Sequence, residues 1–341
     1  GVMVSGGSQA NLIAMMSARH RKVGDCKQKG LQGKTLVAYV SDQAHYSSQR
    51  AANLLGIGLD NLIAIKTDDD GKLIPEELEL QIKASLQQAR TPFYIGVTSG
   101  TTVIGAFDPI KPCSRIAKEY DCWLHVDGAW GAPVLFSKKH RYLMQDVALA
   151  DSASWDSHKL MSVPLTASGI QVREAGQLKS AISGGGGEYL FHNDENAAFN
   201  MGEHSLQCGR KADALKVWMG WKAVGSKGFA QKVEHLQELK EYCVERLNAT
   251  DCFTLLAPAA YLNILFRYEP EGKPLNEEAL SKLNIAICTK LKKEGSAFID
   301  YARYKGHTGI RLILGNGDAK QKDIDRVIKH CQRAGEFLSN R

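Results

Sequence analysis

A regular alternation of short apolar runs and longer runs with a helical period constrains the fold most strongly. The apolar, strand-like runs are 35–41, 61–66, 93–98 and 123–126, with two shorter ones near 152–155 and 169–173. Runs with a period of about 3.6 residues lie between the first four, at 46–55, 75–89 and 109–120. Strands that are apolar along their whole length are buried on both faces, as in parallel sheets covered by helices. The pattern therefore predicts an α/β fold, with a mostly parallel sheet flanked by helices on both faces.

The pattern changes in the last third of the chain. Two long helical runs, 210–223 and 229–248, are followed by short strand-like runs and two further helical ones. This order predicts a small C-terminal α+β domain at residues 221–341, after a large α/β domain at residues 1–220. A helix is expected to bridge the boundary. The length of 341 residues suits two domains of roughly 150 residues each.

One long segment and the first residues of the chain do not follow this alternation of strand-like and helical runs. Residues 175–208 show little periodicity and contain the glycine-rich stretch SGGGGE at 183–188. A long irregular segment in a compact domain is usually a functional loop, so a lid is predicted here. The opening residues GVMV have the character of the end of an element, which predicts that an upstream segment is missing from this chain.

Composition excludes several classes of protein. Lys and Arg number 43 and Asp and Glu 37, a net charge of +6, and the basic residues are mostly scattered, whereas nucleic-acid binders concentrate them on one face. No apolar stretch approaches the roughly 20 residues that span a bilayer. The eight cysteines form no C-x-x-C pair, which argues against a zinc site. We expect reduced thiols in a cytoplasmic protein that binds no metal, nucleic acid or membrane.

Polar side chains follow four of the predicted strands. His45 follows the run 35–41, Thr102 follows 93–98, Asp127 follows 123–126, and His158 and Lys159 follow 152–155. In open α/β sheets, ligands bind beyond the carboxyl ends of the strands. We therefore expect one polar mouth that contains imidazole, hydroxyl, carboxylate and amine groups.

Four features of the sequence each have an alternative explanation. The stretch Ser5–Ser8 (SGGS) before a helical run could bind phosphate through free N–H groups, or could be a flexible N-cap. Asp127 could pair with a protonated ring nitrogen or could cap a helix. Lys159 could be a Schiff-base nucleophile or a solvated lysine. His45 could stack on a flat ligand or cap a helix, and His125 suits a core or supporting role. Taken together, the phosphate cradle, the aspartate and the lysine describe a pyridoxal-phosphate site.

The chain also resembles a known family, the group II pyridoxal-phosphate decarboxylases. The resemblance is strongest to the branch of glutamate, cysteine sulfinate and bacterial aspartate decarboxylases. The matching strings run in family order over almost the whole chain: SGGSQANL (5–12), DQAHYSSQRAANLLGIGLDNL (42–62), TSGTTVIGAFDPI (98–110), HVDGAWG (125–131), SHKLMSVPL (157–165), EYLF (188–191), LQCGRKADALKVWMGWKAVG (206–225) and IRLILGN (310–316).

The resemblance implies the fold and the chemistry. It implies the aminotransferase-like fold called fold type I and a homodimer with active sites near the interface. Lys159 is implied to form the internal aldimine, Asp127 to pair with the pyridinium nitrogen, and His45 to stack on the ring and act as acid or base. Tyr189 is implied to protonate the substrate carbon after CO2 leaves, and Arg311 to bind a substrate carboxylate. The implied cofactor-binding residues also include Gly6, Gly7, Ser8, Thr102, Ala129 and His158.

The implied reaction is α-decarboxylation of an L-amino acid, most simply an acidic one such as glutamate, aspartate or cysteine sulfinate. Decarboxylation of L-2,4-diaminobutyrate is the main alternative. An aminotransferase and a non-catalytic protein of the same fold are alternatives of other classes. One departure concerns the cofactor site, because Asp156 and Ser157 stand where the family has Asn-Pro. Since a carboxylate would repel the phosphate, Asp156 is expected to point away from it.

Overall fold

The computed structural model describes residues 1–184, 190–192, 195 and 197–340. Its larger sheet has the spatial order β1-β7-β6-β5-β4-β2-β3, in which β7 and β1 run antiparallel to their neighbours and the other strands are parallel. The predicted mostly parallel sheet is confirmed, and its six predicted strands match within two residues. The strands are β1 (Val2–Val4), β2 (Leu36–Ser41), β3 (Leu62–Ile65), β4 (Thr91–Thr98), β5 (Trp123–Asp127), β6 (Ser152–Asp156) and β7 (Ser168–Val172).

Helices cover both faces of this sheet because successive strand residues point to opposite sides. Val37 and Tyr39 of β2 belong to one buried cluster, and Leu36 and Ala38 belong to another. The first cluster includes side chains of α4 and α5, and the second includes side chains of α1 and α3. The helices of this part are α1 (Gly7–Lys22), α2 (Cys26–Lys29), α3 (Ser47–Leu54), α4 (Pro75–Gln87), α5 (Ile110–Glu119) and α6 (Gln177–Ile182).

The C-terminal part contains a four-stranded antiparallel sheet of order β10-β11-β9-β8, as the predicted α+β character requires. A long helix, α7, precedes it and is interrupted at Gly225, whose φ of 69° favours glycine. This break separates the two helical runs predicted there. The elements are α7 (Asp213–Asn248), β8 (Phe253–Leu255), β9 (Asn263–Tyr268), α8 (Glu277–Lys293), β10 (Asp300–Tyr304), β11 (His307–Ile313) and α9 (Gln321–Ser339).

The division at residue 220 stays a prediction. Helix α7 crosses that position, and one buried cluster holds Val37 of β2 together with Val233 of α7 and Ile264 of β9. Packing therefore continues from the larger sheet to the smaller one.

The segment 175–208 holds more regular structure than its sequence predicts. It contains α6 and two short 3-10 turns, Ala197–Phe199 and Met201–His204. Tyr189 and most of the glycine-rich stretch lie outside the described residues, so the predicted lid is not described. Among the described helices, none is long and apolar enough to cross a membrane.

Candidate active site

A cavity of about 240 Å³ opens where the parallel strands of the larger sheet end. The loops after β2, β4, β5 and β6 contribute to its wall, together with the N-terminus of α1. Strand ends and a helix N-terminus meet here because parallel strands share one carboxyl edge. Every residue predicted to bind the cofactor lies in this wall: Gly6, Gly7, Ser8, His45, Thr102, Asp127, Ala129, His158 and Lys159.

The N-terminus of α1 forms one end of the cavity. The backbone N–H groups of Gln9 and Ala10 donate to the carbonyl of Gly6, at 3.0 and 3.1 Å. The N–H groups of Gly7 and Ser8 therefore precede the first helical hydrogen bonds and are available to a ligand. Because the helix dipole also favours negative charge at this end, the cradle suits a phosphate group.

Asp127, the last residue of β5, is held by donors from three directions. Asn11 Nδ2 donates to its Oδ2 at 2.7 Å. The backbone N–H of Ala129 and the hydroxyl of Ser154 donate to its Oδ1, at 3.0 and 3.3 Å. These contacts fix the orientation of the carboxylate at the cavity wall.

A buried hydrogen-bonded chain continues behind Asp127. His125 Nε2 lies 2.9 Å from Asn11 Oδ1, and His125 Nδ1 lies 2.8 Å from Ser152 Oγ, which also accepts from Trp123 Nε1 at 2.8 Å. Burial lowers the pKa of His125 to about 4, so the ring is neutral near pH 7. Since Trp123 can only donate and an amide oxygen can only accept, Ser152 donates to Nδ1, and Nε2–H donates to Asn11. The predicted supporting role of His125 agrees with this position.

Lys159 lines the cavity and lies beside the carboxylate of Asp156, which belongs to the same segment of the chain. Its Nζ lies 3.0 Å from Asp156 Oδ2, and the Asp156 side chain is 2% exposed. The hydroxyl of Ser168 donates to the other oxygen at 2.6 Å. The expectation that Asp156 points away from the phosphate end is wrong. Its carboxylate lines the cavity, since Lys159 and Ser168 supply the cation and the donor that it needs there.

The imidazole of His45 follows β2 and is half-buried. Its Nδ1 accepts a hydrogen bond from the backbone N–H of Ser47 at 3.3 Å, so in the neutral ring the proton lies on Nε2. Burial lowers the pKa of His45, and the nearby Asp127 carboxylate opposes that shift. The ring can therefore be neutral near pH 7 and still donate a hydrogen bond.

Comparison with known proteins agrees with this geometry. The family model described as "Pyridoxal-dependent decarboxylase conserved domain" matches residues 1–269. The chain belongs to the pyridoxal-dependent decarboxylases. The cofactor of this family is pyridoxal phosphate, as the sequence predicted.

Individual relatives match almost the whole chain of this decarboxylase. Human cysteine sulfinic acid decarboxylase is 35% identical over 99% of this chain and 71% of its own length. Mouse acidic amino acid decarboxylase GADL1 is 35% identical over 99% of this chain and 63% of its own length. Among solved structures, mouse CSAD in apo form superposes with a TM-score of 0.93 at 32% identity, covering 98% of this chain and 71% of that one. The predicted aminotransferase-like decarboxylase fold is confirmed.

The chemical groups that line the decarboxylase cavity fit pyridoxal phosphate. A Cβ on Gly7 would lie 3.0 Å from Asp156 Oδ2 and 3.2 Å from Ala129 Cβ, so glycine keeps the helix N-terminus close to the rest of the wall. An anion cradle, a fixed carboxylate and a primary amine thus share one cavity.

Two arginines of the family pattern lie outside that wall. Arg311 Nε donates to the carbonyl of Thr102 at 2.8 Å, and within the described part of the chain its guanidinium makes no ion pair closer than 4.0 Å. Burial lowers the pKa of Arg311, and Asp300 on the paired strand opposes that shift. Arg210 donates to the carbonyl of Met3 at 3.1 Å, so it braces the edge strand β1.

Sequence reasoning did not predict several residues of the wall, among them Asn11 and Trp130. Asn11 is four residues after Gly7 and therefore on the same face of α1, a spacing that could have singled it out. Trp130 also lines the cavity and donates to Asn263 Oδ1 of β9 at 2.7 Å, which joins the wall to the smaller sheet. No local sequence signal predicts that second contact, because its partners are 133 residues apart.

Proposed function

We propose that this protein is a pyridoxal-phosphate-dependent carboxy-lyase that removes the α-carboxylate of an acidic L-amino acid as CO2. The observation that carries the proposal is that Lys159, Asp127 and the N-terminus of α1 line the same cavity. These are the amine, the carboxylate and the anion cradle that one pyridoxal phosphate requires.

The residues of the cavity have distinct proposed roles. The N–H groups of Gly7 and Ser8 bind the phosphate, and Lys159 Nζ holds the cofactor covalently. Asp127 holds a proton on the ring nitrogen, and the donors from Asn11, Ala129 and Ser154 keep its carboxylate in place for this. When bound, the cofactor supplies an electron sink for the charge that develops as CO2 leaves.

Four further residues are proposed to act on the substrate or to contact the ring. His45 would pack on the ring face, and its Nε2–H would be available as a donor because Nδ1 already accepts a hydrogen bond from Ser47. Thr102 and Ala129 line the cavity in which the ring would lie. Tyr189, which is outside the described residues, is proposed to deliver the proton to the α-carbon.

The preference for an acidic substrate is supported by two observations. The relatives at 35% identity are named as decarboxylases of cysteine sulfinic acid and of acidic amino acids. Arg311 donates a hydrogen bond to the carbonyl of Thr102, a residue of the cavity wall, and makes no ion pair within the described residues. A guanidinium in that state is suited to bind a carboxylate or sulfinate.

The test is CO2 release from L-cysteine sulfinate, L-aspartate, L-glutamate and L-2,4-diaminobutyrate by the cofactor-loaded enzyme. We expect at least one acidic substrate to be turned over far faster than diaminobutyrate. Faster release from diaminobutyrate would replace the acidic assignment with the basic one. Keto-acid formation without CO2 would indicate an aminotransferase, and bound cofactor with no turnover would indicate a non-catalytic protein.

A homodimer is part of the proposal. One side of α7 exposes large apolar side chains, including Leu215, Trp218 and Met219, which are 53%, 59% and 57% exposed. Such a patch is typical of an interface. Trp218→Asp should convert a dimer to a monomer in light-scattering measurements, whereas Leu80→Asp on the exposed side of α4 should not. A wild-type protein that is already monomeric would contradict the proposal.

A cytoplasmic location is also proposed. Seven of the eight cysteines are buried, and all eight are free in the described structure. Free thiols persist in a reducing compartment. Fractionation of the native cells, followed by detection of the protein, tests the location; recovery in an oxidising compartment would contradict it.

A further inference from the structure

The phosphate end of the cavity contains a buried carboxylate. Asp156 Oδ2 lies 3.0 Å from Lys159 Nζ and 3.7 Å from His158 Nε2. A Cβ on Gly7, at the start of α1, would be 3.0 Å from the same oxygen. The carboxylate therefore adjoins the helix N-terminus that is proposed to bind the phosphate, and the inference below rests on that proposed function.

Loading the cofactor changes the charge balance of this cluster. In the structure the ammonium of Lys159 neutralises Asp156. Covalent attachment would bond Lys159 Nζ to the cofactor instead of leaving it paired with Asp156. The phosphate would add a dianion next to the Asp156 carboxylate. Condensation of an ammonium group with an aldehyde releases water and leaves the positive charge on nitrogen, so attachment itself neither consumes nor releases a proton. The added negative charge needs another compensating group.

His158 is placed to supply that compensation. Its Nδ1 lies 2.9 Å from the carbonyl oxygen of Ala167 and 3.1 Å from the backbone nitrogen of the same residue. A neutral ring can accept from the Ala167 N–H, and a protonated ring can donate to the Ala167 carbonyl, without moving. Both protonation states are therefore satisfied, although the side chain is only 10% exposed.

We propose that His158 and Asp156 form a proton-holding pair, and that this decarboxylase takes up one proton from solvent onto His158 Nδ1 when pyridoxal phosphate binds. In the loaded enzyme the imidazolium then faces Asp156 through Nε2 and balances the phosphate. Binding of the cofactor consequently weakens as the pH rises, because the concentration of protons in solution falls.

The other groups that face Asp156 do not provide this proton. Lys159 is already charged before attachment, and Ser168 of β7 donates a neutral hydrogen bond. His45, which follows β2, interacts electrostatically with Asp156 but also with Asp127. Its Nδ1 already accepts a hydrogen bond from the backbone N–H of Ser47. The N-terminus of α1 contributes a fixed dipole, which does not titrate.

The test is calorimetric binding of pyridoxal phosphate to the cofactor-free enzyme in two buffers of different ionisation enthalpy. The range runs from about pH 7.5 to about pH 9, where the phosphate is already a dianion because its second pKa is about 6. Because Asp127 is proposed to hold a proton on the ring nitrogen, both pyridoxal phosphate and pyridoxal can take up a ring proton on binding. The proton assigned to His158 is therefore the excess taken up with pyridoxal phosphate over pyridoxal. We expect this excess to be about one proton, and the Kd of pyridoxal phosphate to rise by up to tenfold more per pH unit than the Kd of pyridoxal.

Two variants distinguish proton uptake by His158 and Asp156 from a merely structural role of these residues. Asp156→Asn should abolish the excess proton uptake over pyridoxal and bind the cofactor more tightly than wild type near pH 9, because the repulsive charge is gone. His158→Gln, whose amide can still accept from Ala167, should also abolish this excess but bind more weakly throughout. Near-ultraviolet circular dichroism establishes that both variants are folded.

Normal binding of pyridoxal phosphate without excess proton uptake over pyridoxal would overturn the inference and leave the proposed function standing. Weaker binding by Asp156→Asn would also overturn it, since Asp156 would then serve only to hold Lys159. Equal uptake with pyridoxal would show that the proton is unrelated to the phosphate, which is equally fatal. Failure of the wild-type enzyme to bind the cofactor at all would instead contradict the proposed function, and with it this inference.

Discussion

Asn11 Nδ2 donates to Asp127 Oδ2 at 2.7 Å, and this hydrogen bond joins helix α1 to the end of strand β5. The partners are 116 residues apart, and Asn11 is 3% exposed. The same amide accepts from His125 through its oxygen. One side chain therefore links the proposed anchor of the ring nitrogen to a neutral, buried histidine.

Replacing Asn11 should weaken cofactor binding. Asn11→Leu keeps the volume but removes a donor to a carboxylate, a loss of about 1.5–3 kcal/mol, or at least tenfold in Kd. It also leaves His125 Nε2–H without its acceptor. Fluorescence titration with pyridoxal phosphate measures the effect, and Asn53→Leu on the exposed side of α3 is the control. Unchanged affinity would show that Asp127 does not need this support.

Lys159 should be the site of covalent attachment. Borohydride reduction of the loaded enzyme should fix the cofactor on the peptide that contains Lys159, as mass spectrometry can show. Lys159→Ala should retain no fixed cofactor and release no measurable CO2, because no other amine among the described residues lines the cavity. Lys138→Ala, in an exposed loop, should behave as wild type. Fixation on another lysine would refute the assignment.

His125 should make the fold less stable in acid. Its pKa is lowered from 6.5 to about 4 by burial, so the unfolded chain binds the proton more readily than the folded one. The stabilisation is therefore complete above about pH 6.5 and is lost as the pH falls towards 4, by roughly 3 kcal/mol in total. Urea unfolding at a series of pH values measures this. In His125→Gln the acid-dependent loss should shrink, whereas in His330→Gln on α9 it should remain; equal slopes in all three proteins would contradict the prediction.

Gly7 should tolerate no side chain. The methyl group of Gly7→Ala would meet Asp156 Oδ2 at 3.0 Å and Ala129 Cβ at 3.2 Å. Moving these groups typically costs about 1–3 kcal/mol, so cofactor affinity should fall on the order of tenfold or more. Gly24→Ala is the matched control, since a Cβ there meets nothing within 4 Å. Wild-type affinity in Gly7→Ala would mean that the cradle is looser than the structure shows.

Arg311 should determine affinity for the acidic substrate. Arg311→Met keeps much of the length but removes a charge-assisted contact of about 1.5–3 kcal/mol, which predicts a rise in KM of about tenfold or more. Steady-state kinetics with the preferred acidic substrate measures it. Arg303→Met, on the exposed face of β10, should leave KM unchanged. A fall in kcat without a change in KM would remove Arg311 from substrate binding.

The sequence by itself determined six of the seven described strands of the larger sheet and most of the cavity wall. Strand β2 is buried along its whole length and is apolar except for its last residue, Ser41, so the signal is local. His45, Asp127 and Lys159 could be named because they follow such strands, and parallel strands deliver their carboxyl ends to one edge. The family strings added the residues that no local pattern specifies, such as Thr102 and Arg311.

Only the tertiary structure decided the contacts between distant segments. The short strand β1 becomes part of the sheet by pairing antiparallel with β7, about 165 residues later, and the direction of Asp156 follows from Ser168 and Lys159. The link from Asn11 to Asp127 and His125 is likewise non-local. Local propensity records what a residue prefers on its own, but the state of a buried polar group depends on which partners the packed chain brings within hydrogen-bonding distance.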